Sequence, residues 1–142
     1  MSAAPREPSG APCAVSRDAR GAVCHCNAFD MSPVRRFYAV SNSAERPVRG
    51  WLLHLRENKW MMPLEGVTLV HSVPCPGPGT APAAAAACTF ALDASSPAVL
   101  HVPPGNAFAI EQRGGARVMV FSDMPAEESS ADTYRFPFGE NG

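Results

Sequence analysis

Val48-Arg49-Gly50-Trp51-Leu52-Leu53-His54-Leu55-Arg56, then Glu57-Asn58, then Lys59-Trp60-Met61-Met62-Pro63-Leu64, is the stretch on which the fold turns. Two short apolar-rich runs are split by a polar pair, which reads as strand, turn, strand. Side chains on a strand alternate faces. Trp51, Leu53 and Leu55 therefore share one face, and Gly50, Leu52, His54 and Arg56 share the other. In a closed β-structure one of these faces lines the interior. If His54 points inward, so does Leu52.

The same reading extends in both directions. Upstream, Arg36-Phe37-Tyr38-Ala39-Val40 is aromatic and β-branched, and Ser41 to Pro47 is a polar turn. Downstream, Glu65-Gly66 marks a turn before the strand Val67 to Val73. Pro74 to Ala86 holds four prolines and an alanine tract, too proline-rich for a central strand, and reads as a long exposed loop. Strands resume at Cys88–Leu92, Ala98–Val102, Ala107–Glu111 and Ala116–Phe121, separated by Pro103-Pro104-Gly105 and Arg113-Gly114-Gly115. No segment of the core has a helical period of useful length. About eight short strands with frequent turns predict an all-β sandwich or barrel. The tail from Pro125 is acidic and ends in Tyr134-Arg135-Phe136-Pro137-Phe138, an aromatic run expected to pack back onto a sheet or a partner chain.

Composition bounds the rest. The chain has 142 residues, 46% hydrophobic and 18% charged, with a formal net charge of -1. That fits one globular domain, and without a basic block it gives no reason to expect nucleic acid or an acidic membrane surface. The longest uncharged stretch, Ser72 to Leu92, is broken by prolines and cannot span a bilayer as a helix. Met1 to Gly21 lacks the apolar centre of a signal peptide, so a cytoplasmic protein is expected. Residues 1–32 are rich in Ala, Pro, Ser, Gly and Arg and read as a flexible, disordered arm, with residues 33–142 as the folded domain. Five cysteines, Cys13, Cys24, Cys26, Cys75 and Cys88, match no disulfide framework and are expected as free thiols. Cys24-His25-Cys26 has the look of a metal clip but lacks a second ligand pair, and reads as incidental thiols.

Taken in order, Arg49-Gly50-Trp51-x-x-His54, Lys59-Trp60, Gly66, Leu100-His101-Val102-Pro103-Pro104-Gly105, Phe121-Ser122-Asp123 and Asp132-x-Tyr134-Arg135 carry a resemblance. The chain is similar to the short cupins related to dTDP-4-dehydrorhamnose 3,5-epimerase, a group that includes the dTDP-sugar 3,4-ketoisomerases. The likeness runs from about Val34 to Phe138. It implies a single cupin, or jelly-roll, β-barrel, a homodimer, a nucleotide-diphosphate 4-keto sugar as partner and no cofactor. It also implies proton abstraction beside a keto group followed by reprotonation.

Two positions depart from the family pattern. The histidine that serves as general base is matched by Leu52, and an inward histidine after the Pro-x-Gly turn is matched by Phe108. Neither side chain can accept a proton. A placed base contributes about 10²–10⁴-fold, so another group must take over if the reaction survives. His54 lies on the same face, about 6–7 Å along the strand from Leu52, and an imidazole suits base chemistry at neutral pH. Tyr38 and Tyr134 are the candidate acids. Arg49, matching the family arginine, is the candidate anchor for the anionic substrate, and Leu52, His101 and Phe108 are candidate lining residues. The set Leu52, His54, Glu57 and Phe108 offers one imidazole and one carboxylate, too few for a transition-metal site, so no metal is expected.

Plainer readings stand beside these. His54 also fits a hydrogen-bonded core histidine, Trp51 and Trp60 fit packing aromatics, and Arg49 fits a solvated charge. The residues therefore leave two functions open. One is an epimerase or ketoisomerase acting on a dTDP-4-keto-6-deoxyhexose in surface-polysaccharide sugar synthesis. The other is a non-catalytic cupin that binds a nucleotide sugar or another small molecule, or serves as an assembly module. An apolar plug of Leu52 and Phe108 in the barrel mouth would favour the second.

Overall fold

The computed structural model describes residues 6–139. Twelve strands follow in chain order: β1 Ser9–Pro12, β2 Ala14–Asp18, β3 Gly21–His25, β4 Arg36–Val40, β5 Val48–Leu53, β6 Lys59–Glu65, β7 Val67–Pro74, β8 Cys88–Asp93, β9 Ala98–Val102, β10 Asn106–Gln112, β11 Arg117–Ser122 and β12 Tyr134–Arg135. One helix, α1 Ala126–Ala131, precedes β12. Sheet 1 has the order β1-β9-β6-β11-β4, sheet 2 the order β12-β5-β10-β7-β8, and β2 and β3 form a separate hairpin. Every pairing is antiparallel. The result is the jelly-roll barrel of the cupins.

The barrel interior is a single apolar cluster. Met61, Leu100, Val118 and Val120 of sheet 1 meet Val70, Phe108, Ile110 and Leu92 of sheet 2, and all are buried. Removing such side chains from water is the main driving force for closing the two sheets. A second cluster lies on Trp51, Leu53, Val73, Ala107 and Ala109, where the tail residues Tyr134, Phe136 and Phe138 pack. Strand alternation on β5 thus sends Trp51 and Leu53 to the tail side and Leu52 to the barrel side. Phe136 fixes the tail by exchanging backbone hydrogen bonds with Trp51 (2.6 and 2.9 Å).

Gly50 is required by a close approach. A Cβ built there would collide with the Ala109 Cβ and lie 2.7 Å from its Cα. The register between β10 and β5 shifts between Phe108 and Ile110, so a bulge brings Ala109 against Gly50. Gly105, with φ of 84°, closes the Pro103-Pro104 turn, and its N–H donates to the His54 carbonyl (2.8 Å).

Three features differ from the sequence expectations. Residues 9–25, within the stretch read as a flexible arm, carry three strands. β1 pairs with β9, from Ser9↔His101 to Pro12↔Ala98, and β2 pairs with β3. Backbone pairing on a sheet edge needs no apolar period, so composition gives no sign of it. Cys13 and Cys26 form a disulfide rather than standing as free thiols. The hairpin register, with Ala14 opposite His25, brings the residues just beyond it together, and this removes Cys26 from any clip with Cys24. Finally, the acidic tail contains α1, a helix too short to show a period, with Glu127 and Glu128 in its first turn as the helix dipole favours. The expected loop begins after Pro74, the last residue of β7, and carries a single 3₁₀ turn at Ala84–Ala86.

Candidate active site

A cavity of about 350 Å³ opens between the sheets beside α1. Its lining includes Tyr38 from β4, Leu52 from β5, His54, Lys59 from β6, Arg36, and Arg135 from β12. Such a volume is ample for a small ligand.

The floor of the site is held by one carboxylate. Glu57 is 1% exposed. It accepts hydrogen bonds from Lys59 Nζ (2.6 Å), Ser122 Oγ (2.6 Å) and Ser129 Oγ (2.5 Å), and Arg36 Nη2 lies 3.4 Å away. Burial pushes its carboxyl up, but the bonds from Lys59, Ser122 and Ser129, with the His54 charge adding to them, outweigh burial and hold it at about 2. Glu57 is therefore an anion paired with two cations. Lys59 passes the contact on: Nζ also donates to Tyr38 Oη (2.8 Å). An ammonium can only donate, so the Tyr38 oxygen accepts and its own proton is free to be given elsewhere.

His54 is buried and its orientation is fixed from α1. Nδ1 lies 3.0 Å from the backbone carbonyl of Asp132. A carbonyl only accepts, so Nδ1 carries the proton and Nε2 carries the lone pair. Nε2 is buried with no hydrogen-bond partner among the described residues. Burial pushes the imidazole below its ordinary range; the charge of Glu57 and the Asp132 bond oppose this, and Lys59 adds to it. The ring is neutral at pH 7. Asp132 also caps the turn after β5. Its carboxylate accepts the N–H groups of Leu55 (3.0 Å), Arg56 (2.9 Å) and Glu57 (2.8 Å). One residue at the end of α1 thus sets both the imidazole and the chain leading to Glu57. These bonds also end β5 at Leu53, short of the Arg56 expected from periodicity.

Donor atoms of His54, Glu57 and Asp132 lie within 4.8 Å of one another. Their bonding does not suit a cation. The Asp132 carboxylate is taken by three N–H groups, Glu57 by an ammonium and two hydroxyls, and His54 Nδ1 by a carbonyl. The Lys59 ammonium already fills the cationic position.

Of the residues singled out from sequence, Tyr38, Leu52 and His54 line the cavity. Phe108 pairs with Leu52 across β10 and β5 and packs in the interior, its ring 5.8 Å from that of His54. Three residues fall elsewhere. Arg49 is exposed and donates to Asn42 Oδ1 (2.7 Å), bordering a neighbouring hollow that shares Leu52 and Arg135 with the main cavity. Tyr134 belongs to the cluster under the tail, because β12 places it opposite Leu53 and so on the tail side. His101 lies on the outer face of sheet 1, stacked on Trp60 at 5.0 Å, because alternation along β9 turns Leu100 and Val102 inward. Sequence reasoning gave no role to Arg36, Lys59, Ser129 or Arg135. Lys59 had a readable signal: it alternates with Met61 on an inward face, where an unpaired lysine is costly.

No protein-family profile and no curated protein sequence matches the chain. Its fold is shared with solved structures. A dTDP sugar isomerase from Desulfovibrio desulfuricans G20 superposes with a TM-score of 0.74 at 17% identity, over 94% of this chain and 85% of that one. QdtA, a sugar 3,4-ketoisomerase from Thermoanaerobacterium thermosaccharolyticum in complex with TDP, gives 0.69 at 15% identity, over 92% and 88%. ChmJ, a 3'-monoepimerase from Streptomyces bikiniensis in complex with dTDP-quinovose, gives 0.71 at 15%, over 92% and 70%. At these identities the likeness establishes the fold. Among the described residues no helix is long and apolar enough to cross a membrane.

Proposed function

We propose that the chain is a sugar-nucleotide isomerase, an epimerase or ketoisomerase acting on a dTDP-linked 4-keto-6-deoxy sugar. The observation that carries this reading is the placement of His54: an imidazole on the cavity wall, its Nδ1 tied to the Asp132 carbonyl and its Nε2 without a hydrogen-bond partner among the described residues. His54 Nε2 removes the proton from the carbon beside the keto group. Tyr38, its oxygen held by Lys59, protonates the enolate oxygen or the neighbouring carbon. Arg36 and Lys59 give the cavity the positive charge an enolate needs. Arg135, which borders both hollows, and Arg49 hold the diphosphate. The structural neighbours, whose own substrates are dTDP sugars, support this class.

A non-catalytic binder remains the competing reading, since one imidazole stands where two histidines are expected. The cavity weighs against inertness. Phe108 is drawn into the core and Leu52 forms a wall, so the two do not plug the mouth. Deuterium wash-in from D₂O into dTDP-4-keto-6-deoxyglucose separates the two. Exchange in the parent protein that is lost in His54→Ala supports the enzyme. Saturable binding of the same sugar nucleotide with no exchange in the parent would leave only the binder.

A further inference from the structure

A second hollow is larger than the one with His54. It has a volume of about 490 Å³ and lies on the opposite, outer face of sheet 1, walled by β1 and by residues 28–33. Register explains its floor. Trp60 and His101 sit side by side across β6 and β9 on the lining, in a cross-strand row that continues outside it through Phe121 and Phe37. His101 and Trp60 stack nearly parallel, with an interplanar angle of 13°, and Phe29 leans on Trp60 at 5.8 Å. His101 is held in place by Asn58 Oδ1, to which its Nε2–H donates (2.7 Å). Burial first, then the charge of Arg6, push that imidazole below its ordinary range, so it is a neutral flat ring at pH 7. Gly10 and Ala28 keep the walls short. The Cys13–Cys26 disulfide links the chain leaving β1 to the chain entering the second wall, so both walls are tied across the floor.

Charge narrows the ligand. Arg6 is the cation on the lining. Asp30 also borders the hollow, its carboxylate accepting the Ser32 N–H (2.9 Å), and its charge repels an anion. An anionic group therefore seats on Arg6, whose fork matches a carboxylate. We propose that this hollow is a second binding site, for a planar aromatic carboxylate that stacks on the Trp60–His101 floor and pairs with Arg6. The site is separate from the sugar-nucleotide cavity and does not depend on that reading.

The test uses 2-naphthoate as the probe, with 2-naphthamide as its neutral counterpart, titrated against the full chain by saturation-transfer NMR. The expected result is saturable naphthoate binding, weakened about ten-fold or more in Trp60→Leu and in Arg6→Gln, in keeping with the loss of one stacking or one charge-assisted contact. Arg36→Gln, in the other cavity, leaves it unchanged, and naphthamide binds more weakly than naphthoate. Circular dichroism confirms that each variant is folded, and Trp60→Phe, which keeps a ring, restores most of the affinity. Absence of naphthoate binding, equal binding of naphthamide, or binding lost in Arg36→Gln and kept in Trp60→Leu would overturn the assignment.

Discussion

Replacing Glu57 by Gln tests the charge arrangement beneath the cavity. The carboxyl sits at about 2 in the folded protein against 4.5 as its ordinary value. A gap of roughly 2.5 units at 1.36 kcal/mol each is about 3 kcal/mol of folding stability. Because the folded value is the lower one, that stability is fully present above about pH 4.5 and is lost as pH falls toward 2. Glu57→Gln removes it and leaves the Lys59 ammonium, whose side chain is 3% exposed, without its anion. Orphaning a buried charge in this way costs about 3–5 kcal/mol, a large part of the 5–15 kcal/mol typical of a domain. Urea unfolding at pH 7, followed by tryptophan fluorescence, should show the midpoint falling with an unchanged slope. Glu57→Gln/Lys59→Met should recover at least half of the loss, since the charge then left without Glu57 is that of Arg36, whose side chain is 27% exposed and still reaches water. The acid transition between pH 4.5 and 2 should flatten in the single variant. A loss under about 0.5 kcal/mol, or a double variant no better than the single one, would refute the reasoning.

Gly50→Ala should lower the melting temperature by several degrees or more, because overpacking costs about 1–3 kcal/mol and Ala109 backbone cannot retreat from the bulge; calorimetry showing an unchanged transition would contradict the close approach. Leu52→His should raise solvent exchange into the 4-keto sugar, since it places a second imidazole on the wall shared with His54; an intact fold with no change in exchange would speak against that wall as the reaction face. The acid limb of the exchange rate should lie below pH 6.5, because burial favours the uncharged ring of His54 and the base stays competent as the solution becomes more acidic. A limb above 6.5 in the pH–rate profile would mean that another group is the base.

Much of the barrel was legible from strand alternation. The period-2 runs at 36–40, 59–64 and 98–102 and the glycine turns at Gly66 and Gly105 mark the elements directly, whereas on β5 alternation separates the Leu52 face from the Trp51 and Leu53 face without saying which turns inward; the structure turns Leu52 to the barrel side. The site was legible only where chemistry coincided with that alternation, as at His54 and Tyr38. Asp132 bonds the His54 ring, and Arg36, Ser129 and Arg135 share its cavity, through tertiary placement of β4, α1 and β12 that no local period encodes. His101 and Arg49 could not be oriented from sequence, the first because its strand offered apolar residues on both faces. The disulfide was hidden because it depends on the register of a hairpin whose strands are too exposed to show a hydrophobic pattern.

Nitrogen-15 correlation spectroscopy of the His54 ring at pH 7 reaches the account at its root. The proton should reside on Nδ1, with Nε2 showing the shift of an unprotonated nitrogen. A proton found on Nε2, or on both nitrogens, would mean that His54 has no lone pair to offer a substrate.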